Sequence, residues 1–434
     1  MHKNADVVVI GAGMFGSAAA KYLSRAGADT VVVGPPEPTR PAVAGLADIG
    51  AYHDESRIAR CLGWDRFWGT VDTRSTARYR EIEAESGVGF FRECGALAVI
   101  SLSLRQHTGA MLRAGEDDGV AVERMSAADL RRAFPVLHVP PMAGGIEGLL
   151  ERRNAGYLAP RQLVRAQLRL AVASGARLLR STVTSLRRDE RAGRWRVRLE
   201  PAEGGSPASV TAERVLVAAG SLVNHSRALP PPHQLDLRVF TEPNLLFEVG
   251  GDQLRQLEEL PTIVTIDSED TGNDNHSAYL IPPVRYPDGR WYLRIGPAMQ
   301  PIVHELRTAQ DAHRWHACQR TTPEQAAFLT RMTRTLLPGL EPLRIREACC
   351  VVDKTPSRYP YIGHLDDRTL TVAVGGNGHG ARGSDEIGRL AATTALNQPW
   401  DFPLPQQTFT PTTTTAADAP PDRPDYLRPP FGLC

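Results

Sequence analysis

The chain has 434 residues, of which 42% are hydrophobic and 23% are charged, and its formal net charge is +1. A chain of this length is too long for a single hydrophobic core, so we expect two or three domains. The near-zero net charge argues against a nucleic-acid or membrane-surface partner, and the sequence has no apolar run of about 18 residues that could span a bilayer.

The cysteines give no sign of a metal site or a disulfide framework. They are few, and their spacing does not match known ligand patterns. We therefore expect no metal and a reduced, cytoplasmic enzyme. The six cysteines are Cys61, Cys94, Cys318, Cys349, Cys350 and Cys434.

A glycine fingerprint lies near the start of the chain. An apolar run at residues 7–10 predicts a buried strand, Gly11, Gly13 and Gly16 follow at G-x-G-x-x-G spacing, and a helical pattern then leads to a second strand at residues 30–33. This context is typical of a dinucleotide site, because the glycines permit a tight turn and the helix N-terminus attracts phosphates.

The remaining pattern alternates between helices and strands. A capping box at Ser126 and Asp129 predicts a short helix, and residues 214–221 read as another buried parallel strand that ends in Ala219 and Gly220. Further helices are predicted at about 76–86, 161–174, 322–337 and 385–396, and further strands at 95–100, 177–179, 184–187, 195–199 and 370–374, with a strand-rich region at about 237–296.

The dinucleotide-type segments are separated by other material. This arrangement predicts a cofactor domain assembled from residues 1–85, 150–230 and 345–405, and a substrate domain formed by residues 86–149 and 231–344. Residues 406–434 are rich in Pro and Thr and predict an irregular tail.

Several segments together resemble the flavin-dependent amine oxidase family that contains D-amino acid oxidase, glycine oxidase and monomeric sarcosine oxidase, and the sarcosine oxidase branch is nearest. They occur in family order between residues 5 and 396. They are the fingerprint, His53 to Arg60 (HDESRIAR), Gly156-Tyr157-Leu158, the strand from Val215 to Gly220, Thr355-Pro356 with Pro360 to Gly363, and the terminal GGNGHGARGS.

The resemblance implies a two-domain α/β protein with a Rossmann-like FAD-binding domain and an antiparallel-sheet substrate domain. It also implies FAD as cofactor and oxidation of a carbon–nitrogen bond of an amino acid or N-alkyl amino acid to an imine, by hydride transfer to flavin N5. Oxygen would then reoxidise the flavin and give hydrogen peroxide. Residues expected to contact the cofactor are Gly11, Gly13, Met14, Phe15, Gly16, His53, Ser56, Arg57, Val183, Ala219, Gly220, Cys350, Gly376, Asn377, Gly378, His379, Gly380 and Arg382.

Arginines are the candidates for holding a substrate carboxylate, because a guanidinium stays charged and binds in a bidentate manner. By resemblance, Arg57 lies against the flavin and Arg60 grips the carboxylate, together with Arg382, where the branch carries a lysine. The i, i+3 spacing of Arg57 and Arg60 would place both on one side of a helix. Solvated surface charges are the alternative.

Two positions depart from the branch above the flavin. Arg294 replaces a lysine that aids the reaction with oxygen, and Ala298 replaces a histidine. A guanidinium cannot deprotonate or hold water as an ammonium does. The sequence therefore leaves open whether oxygen is the acceptor that reoxidises the flavin. Arg294 paired with an acid in the sheet is the alternative. Tyr279 matches a tyrosine that lines the substrate cavity, or is a buried structural tyrosine.

Cys350 lies five residues before Thr355, where the branch carries a cysteine joined to the flavin 8α-methyl group. The resemblance therefore implies a covalent flavin, whereas a small buried hydrophobe on a strand is the alternative. Alternation would point only one of Cys349 and Cys350 inward.

The acid that usually binds the adenosine ribose is missing, because Gly34 occupies its place at the end of the second strand. Either Glu37 binds the ribose from the following loop, or backbone groups and water bind it. We favour the interpretation that Glu37 is an ordinary solvated loop acid.

Three alternative functions remain. They are a flavin dehydrogenase that passes electrons to a partner or quinone, a nicotinamide-dependent dehydrogenase and a non-catalytic flavoprotein subunit. We expect a monomer or small homo-oligomer.

Overall fold

The computed structural model describes residues 3–38, 45, 49–142, 144–202, 206–267, 276–298 and 303–414. The helices are α1 Met14–Arg25, α2 Arg66–Ala77, α3 Tyr79–Ser86, α4 Arg105–Asp117, α5 Ala127–Ala133, α6 Pro160–Ala173, α7 Gly251–Leu257, α8 Ala309–Cys318, α9 Pro323–Leu336 and α10 Ser384–Ala395. Short 3-10 turns occur at Leu102–Leu104, Gly220–His225 and Gln406–Phe409.

The strands are β1 Lys3–Ile10, β2 Thr30–Val33, β3 Arg57–Ala59, β4 Phe91–Arg92, β5 Ala96–Ser101, β6 Glu123–Met125, β7 Ile146–Glu151, β8 Gly156–Leu158, β9 Arg177–Leu179, β10 Ser181–Asp189, β11 Arg194–Pro201, β12 Ala208–Val217, β13 Arg238–Val249, β14 Thr262–Ile266, β15 Ala278–Arg285, β16 Trp291–Pro297, β17 Arg344–Lys354, β18 Tyr361–His364 and β19 Leu370–Val374.

The first sheet contains the glycine fingerprint. Its order is β10-β11-β12-β1-β2-β9, and β19 pairs with β12 and carries β18. The pairs β12–β1, β1–β2, β2–β9 and β12–β19 are parallel. Alternate residues of β1 enter two different cores, since Val7 and Val9 pack with α1 and α10 whereas Val8 and Ile10 pack with β11 and β12.

The second sheet has the order β17-β13-β16-β15-β14-β5-β7-β6. One of its faces packs on α9 through Phe328, Leu329 and Met332. The other face carries Tyr279 and Ile281, which lie at the cavity described below. Antiparallel pairing dominates, but β14 and β5 are parallel, so this sheet is mixed. A small third sheet, β3-β8-β4, accompanies the two large ones.

The mixed α/β class with two main sheets confirms the predicted fold class. Three details differ from the sequence-based predictions. Arg57 begins strand β3 rather than lying on a helix, and β17 pairs along β13 in the second sheet, although residues 345–405 were assigned to the cofactor part. Phe409, in the predicted tail, is buried against Phe67 at 4.9 Å between ring centroids; residues 415–434 lie outside the described part.

Candidate active site

One long cavity runs between the two large sheets, and residues of both sheets line it. At one end it is lined by the glycine turn after β1, and at the other by side chains of β13, β15 and β17.

The glycine turn shapes the first end of the cavity. Gly11 has φ +111°, a left-handed conformation that favours glycine. A Cβ at Gly16 would lie 1.8 Å from the carbonyl oxygen of Gly11, so α1 could not pack so closely with any other residue there. Gly13 caps α1 and Met14 begins it, and both line the cavity. Free N–H groups at this helix end suit a pyrophosphate.

Gly34 also lies in the cavity wall. A Cβ there would be 2.6 Å from the Cβ of Ala12 and 2.8 Å from its backbone nitrogen, so an acid cannot occupy this position without a shift of the backbone. Glu37 faces Arg161, whose Nε donates to both carboxylate oxygens at 2.7 and 2.9 Å. This acid is thus an ion-paired loop residue, in agreement with the reading favoured from the sequence.

The turn after β19 forms the opposite wall. Gly376, Gly378, His379 and Gly380 line the cavity, and a Cβ at Gly380 would lie 2.7 Å from the ring of Phe15. Asn377 holds the turn from behind, because its side chain accepts a hydrogen bond from the backbone nitrogen of Thr355 at 2.9 Å and donates to the carbonyl of Gly375 at 2.6 Å.

His53 lies in the cavity wall beside Tyr52, with ring centroids 4.3 Å apart. Burial lowers its pKa to about 4, so the imidazole is neutral at physiological pH. Within the described part of the chain, its Nε2 atom is buried and has no hydrogen-bond partner. A buried ring nitrogen in this state is available to a ligand atom.

Arg57 and Arg294 share one carboxylate. Asp54 accepts a hydrogen bond from Nη1 of Arg57 at 2.6 Å and another from Nη1 of Arg294. Burial alone would raise the pKa of Asp54, but Arg294 and Arg57 hold it well below its ordinary value. Arg57 lines the cavity, and its Nη2 lies 3.4 Å from the sulfur of Cys350.

Arg294 is 1% exposed, and the cavity lining in the described chain does not include it. Its Nε donates to Oδ1 of Asn244 at 2.9 Å, its Nη1 to the carbonyl of Ser56 at 2.8 Å, and its Nη2 to the hydroxyl of Tyr279 at 3.1 Å. The sequence predicted a catalytic position above the cofactor for Arg294. In the structure Arg294 instead lies behind the cavity wall, and all three of its guanidinium nitrogens are hydrogen-bonded.

Arg60 and Arg382 meet two buried acids. Asp72 accepts a hydrogen bond from Nε of Arg382. Burial raises the pKa of Glu151, while Arg60 and, more weakly, Arg382 oppose that shift. Arg382 lines the cavity, whereas Arg60 is 2% exposed, packs its guanidinium over Trp64 and is not part of the described lining. The predicted pair therefore lies in one cluster, but only Arg382 reaches the cavity.

Glu242 is a lining residue that no sequence motif indicated. It lies in the middle of β13, directly across from Cys350 on β17. Its Oε1 accepts a hydrogen bond from the hydroxyl of Tyr279 at 2.7 Å. The predicted tyrosine therefore lies at the same end of the cavity, which is lined by β13, β15 and β17 and which we call the chamber.

The two adjacent cysteines face different ways. Cys350 lines the cavity, whereas Cys349 is buried in the core beside β12. Burial raises the pKa of the Cys350 thiol, and Arg57 opposes this shift. Only Cys350 of this pair is therefore placed to contact a ligand in the cavity, and its covalent attachment to a flavin stays a prediction.

Most of the predicted cofactor residues line the cavity: Gly11, Gly13, Met14, Phe15, His53, Arg57, Val183, Ala219, Gly220, Cys350, Gly376, Gly378, His379, Gly380 and Arg382. Gly16, Ser56 and Asn377 instead lie behind the lining, where they set the backbone that forms it. In the described ranges there is no group of three or more His, Cys, Asp or Glu side chains placed to hold a metal ion, and no helix long and apolar enough to cross a membrane.

A family model described as FAD dependent oxidoreductase matches residues 6–394. The chain belongs to this family. Monomeric sarcosine oxidase from Arthrobacter sp. (strain TE1826) is 24% identical, with 91% of this chain and 93% of the relative covered. N-methyl-L-tryptophan oxidase from Salmonella arizonae is 25% identical, with 92% and 96% covered.

The fold is also that of solved relatives. The open form of NikD, described as an unusual amino acid oxidase essential for nikkomycin biosynthesis, superimposes with a TM-score of 0.72 at 20% identity, and the match covers 95% of this chain and 98% of NikD. FAD is therefore the cofactor. The cavity fits it, since a glycine turn suited to pyrophosphate, the orphaned Nε2 of His53 and a second glycine-rich turn lie along one continuous space.

Proposed function

We propose that the protein oxidises a carbon–nitrogen bond of an amino acid or N-alkyl amino acid in the chamber between the two sheets. The observation that carries this proposal is that Arg382, Glu242, Tyr279 and Cys350 line the same cavity as the glycine turn of β1. A cofactor extended from that turn would therefore meet a substrate held by charged side chains.

The two sheets would have different binding roles. The first sheet and its turns would hold FAD, and β13, β15 and β17 of the second would wall the substrate. Bound FAD supplies a two-electron acceptor for the hydride of the carbon beside the nitrogen, and O2 would take up those electrons to give hydrogen peroxide. The chain's own contribution is to position that C–H bond and to exclude water.

Arg382 is the proposed carboxylate ligand. It lines the cavity, and a guanidinium binds a carboxylate with two parallel hydrogen bonds. Arg60 would act from behind, by adding positive charge to the cluster of Asp72 and Glu151. Arg57 would lie against the isoalloxazine, since its Nη1 and Nη2 are fixed by Asp54 and by the carbonyl of Ala51.

Cys350 is the proposed point of covalent attachment. Its sulfur lies in the cavity wall at 3.4 Å from Nη2 of Arg57, so a thioether to the flavin would tether the ring beside that arginine. Burial raises the pKa of this thiol. Attachment would break the S–H bond and one C–H bond of the flavin methyl group, and the two electrons released would reduce the flavin, which O2 would reoxidise.

A dehydrogenase is the second candidate. Every nitrogen of Arg294 is engaged, and Arg294 does not line the described cavity. The positive charge expected to help oxygen would therefore act from behind the wall, next to Tyr279 and Glu242. A partner protein or a quinone would then take the electrons.

An anaerobic amine screen tests the proposal. The purified yellow protein is mixed with N-methyl amino acids and amino acids, and bleaching of the flavin absorption band is followed. We expect at least one of these amines to bleach the band, and a screen without bleaching would contradict the proposed function. Peroxide formed in step with substrate loss in air separates the oxidase from the dehydrogenase.

A further inference from the structure

The chamber contains an acid whose partners are incomplete. Glu242 lines the cavity with 14% of its side chain exposed. Its Oε1 accepts a hydrogen bond from Tyr279 at 2.7 Å, and among the described residues no hydrogen-bond donor lies at Oε2. One carboxylate oxygen is therefore directed to a ligand or to water.

The nearby cations form no hydrogen bond with this acid among the described residues, although Arg294 lies within ion-pair distance of it. Nη2 of Arg294 lies 3.9 Å from Oε1 of Glu242 and is bonded to the hydroxyl of Tyr279 instead. Nη1 of Arg294 and Nη1 of Arg57 both donate hydrogen bonds to Asp54. Two arginines and two acids thus lie together, and one of the acids is only half satisfied.

Beside these charged groups and Cys350, apolar side chains line this part of the cavity. Ile58, Ile281 and Val352 line the same part of the cavity, and the latter two belong to the core on this face of the second sheet. An ionised carboxylate in such a chamber is costly unless a cation or hydrogen-bond donors satisfy it. A ligand cation would complete the site.

We infer that the substrate carries a second basic nitrogen, an ammonium or guanidinium group separate from the nitrogen that is oxidised, and that Glu242 binds it. This inference rests on the proposed function and names its substrate class. The group bound by Glu242 is distinct from the reacting amine, because hydride loss needs the lone pair of a neutral nitrogen and a carboxylate stabilises the protonated form. The substrate is therefore an amino acid or N-alkyl amino acid with a basic side chain.

Matched substrate pairs test this inference. The holoenzyme is assayed anaerobically with Nα-methyl derivatives of diaminobutyrate, ornithine, lysine and arginine, and with neutral counterparts of equal length, such as Nα-methyl-norleucine for lysine and Nα-methyl-citrulline for arginine. Because a charge-assisted hydrogen bond is at stake, we expect one basic compound to exceed its counterpart by about 10- to 100-fold in kcat/KM.

The variant Glu242→Gln keeps the shape but removes the charge, so the ratio between the basic and neutral compound should fall at least about tenfold. Glu248→Gln is the matched control, because Glu248 lies on the same strand with the same 14% exposure but pairs with Arg290 outside the cavity lining. It should keep the wild-type ratio.

Three results would overturn the inference. One is equal rates for basic and neutral compounds in the wild type. Another is an unchanged ratio in Glu242→Gln. The third is an equal loss of rate with both compounds, which would assign Glu242 to a step common to every amine.

Binding separates this inference from the proposed function. If no amine bleaches the flavin, the change in the flavin spectrum on adding each basic compound still gives a dissociation constant. A tighter constant for basic compounds that weakens in Glu242→Gln would support the basic-nitrogen site while refuting the proposed oxidation. Absence of both bleaching and binding would refute both.

Discussion

Asp72 should make carboxylate binding depend on pH. This residue is fully buried, its Oδ2 accepts a hydrogen bond from Arg382, and its Oδ1 has no partner in the described part of the chain. Burial raises the pKa of Asp72 to about 7, although Arg382 and Arg60 oppose that shift. Asp72 thus ionises in the pH range where an enzyme of this kind is assayed.

The direction of the effect follows from charge. Below pH 7 Asp72 is protonated, and the positive charge of Arg382 is available to a ligand carboxylate. Above pH 7 the ionised Asp72 neutralises Arg382 and repels the ligand. If only the protonated form binds, the apparent dissociation constant scales as 1 + 10^(pH − 7), and it should rise about 30-fold between pH 6 and pH 8.5.

The assay is titration of the flavin spectrum with a small carboxylate such as 2-furoate, with 2-furamide as a neutral control of nearly the same shape. The carboxylate should lose affinity as the pH rises, and the amide should not. Asp72→Asn imitates the protonated acid, so its carboxylate affinity should stay high at pH 8.5, apart from the smaller influence of Glu151.

A carboxylate affinity that is flat from pH 6 to 8.5 would refute this reasoning. So would an equally steep loss in Asp72→Asn, because the titrating group would then lie elsewhere. Tyr79, Cys61 and His379 also face this cluster. Burial raises the pKa of the first two and lowers that of His379, so all three stay neutral across the assayed range.

Three further changes test separate parts of the site. Gly34→Asp should weaken FAD retention on dialysis, because its Cβ would lie 2.6 Å from that of Ala12; undiminished retention would contradict the close packing. Cys350→Ser should move the flavin colour from acid-precipitated protein to the supernatant, and colour already in the wild-type supernatant would exclude the thioether. Arg294→Lys should lower the free energy of unfolding by about 2 kcal/mol in urea, because lysine cannot reproduce the bonds to Asp54 and Asn244; an unchanged midpoint would show that these bonds contribute little.

The cofactor end of the cavity could be predicted from the sequence because backbone forms it. Gly11, Gly16 and Gly380 occur where close approaches of 1.8 to 2.7 Å leave no room for a Cβ, and such requirements leave a fixed spacing in the chain. The short strand β3 could not be predicted in this way. Three residues show no period, and pairing with β8 about a hundred residues later decides their conformation.

The substrate chamber is formed by side chains from distant elements, and its charges could not be paired from the sequence. Nothing near Asp72 in the chain indicates Arg382, which follows 310 residues later. Glu242 likewise lies in an ordinary apolar strand, and only the register of β13 with β17 places it beside Cys350. The identity of such residues is visible in the sequence, but their partners depend on the fold.

Arg294 and Glu242 are best understood as one coupled arrangement. A guanidinium at position 294 has enough donors to serve Asp54, the Ser56 carbonyl, Asn244 and Tyr279 together. Because these acceptors fix it 3.9 Å from Glu242, the arginine leaves that acid half satisfied. A lysine has three donors on one nitrogen and could not span the same acceptors. With arginine at position 294, one carboxylate oxygen of Glu242 is therefore left for the substrate that we infer.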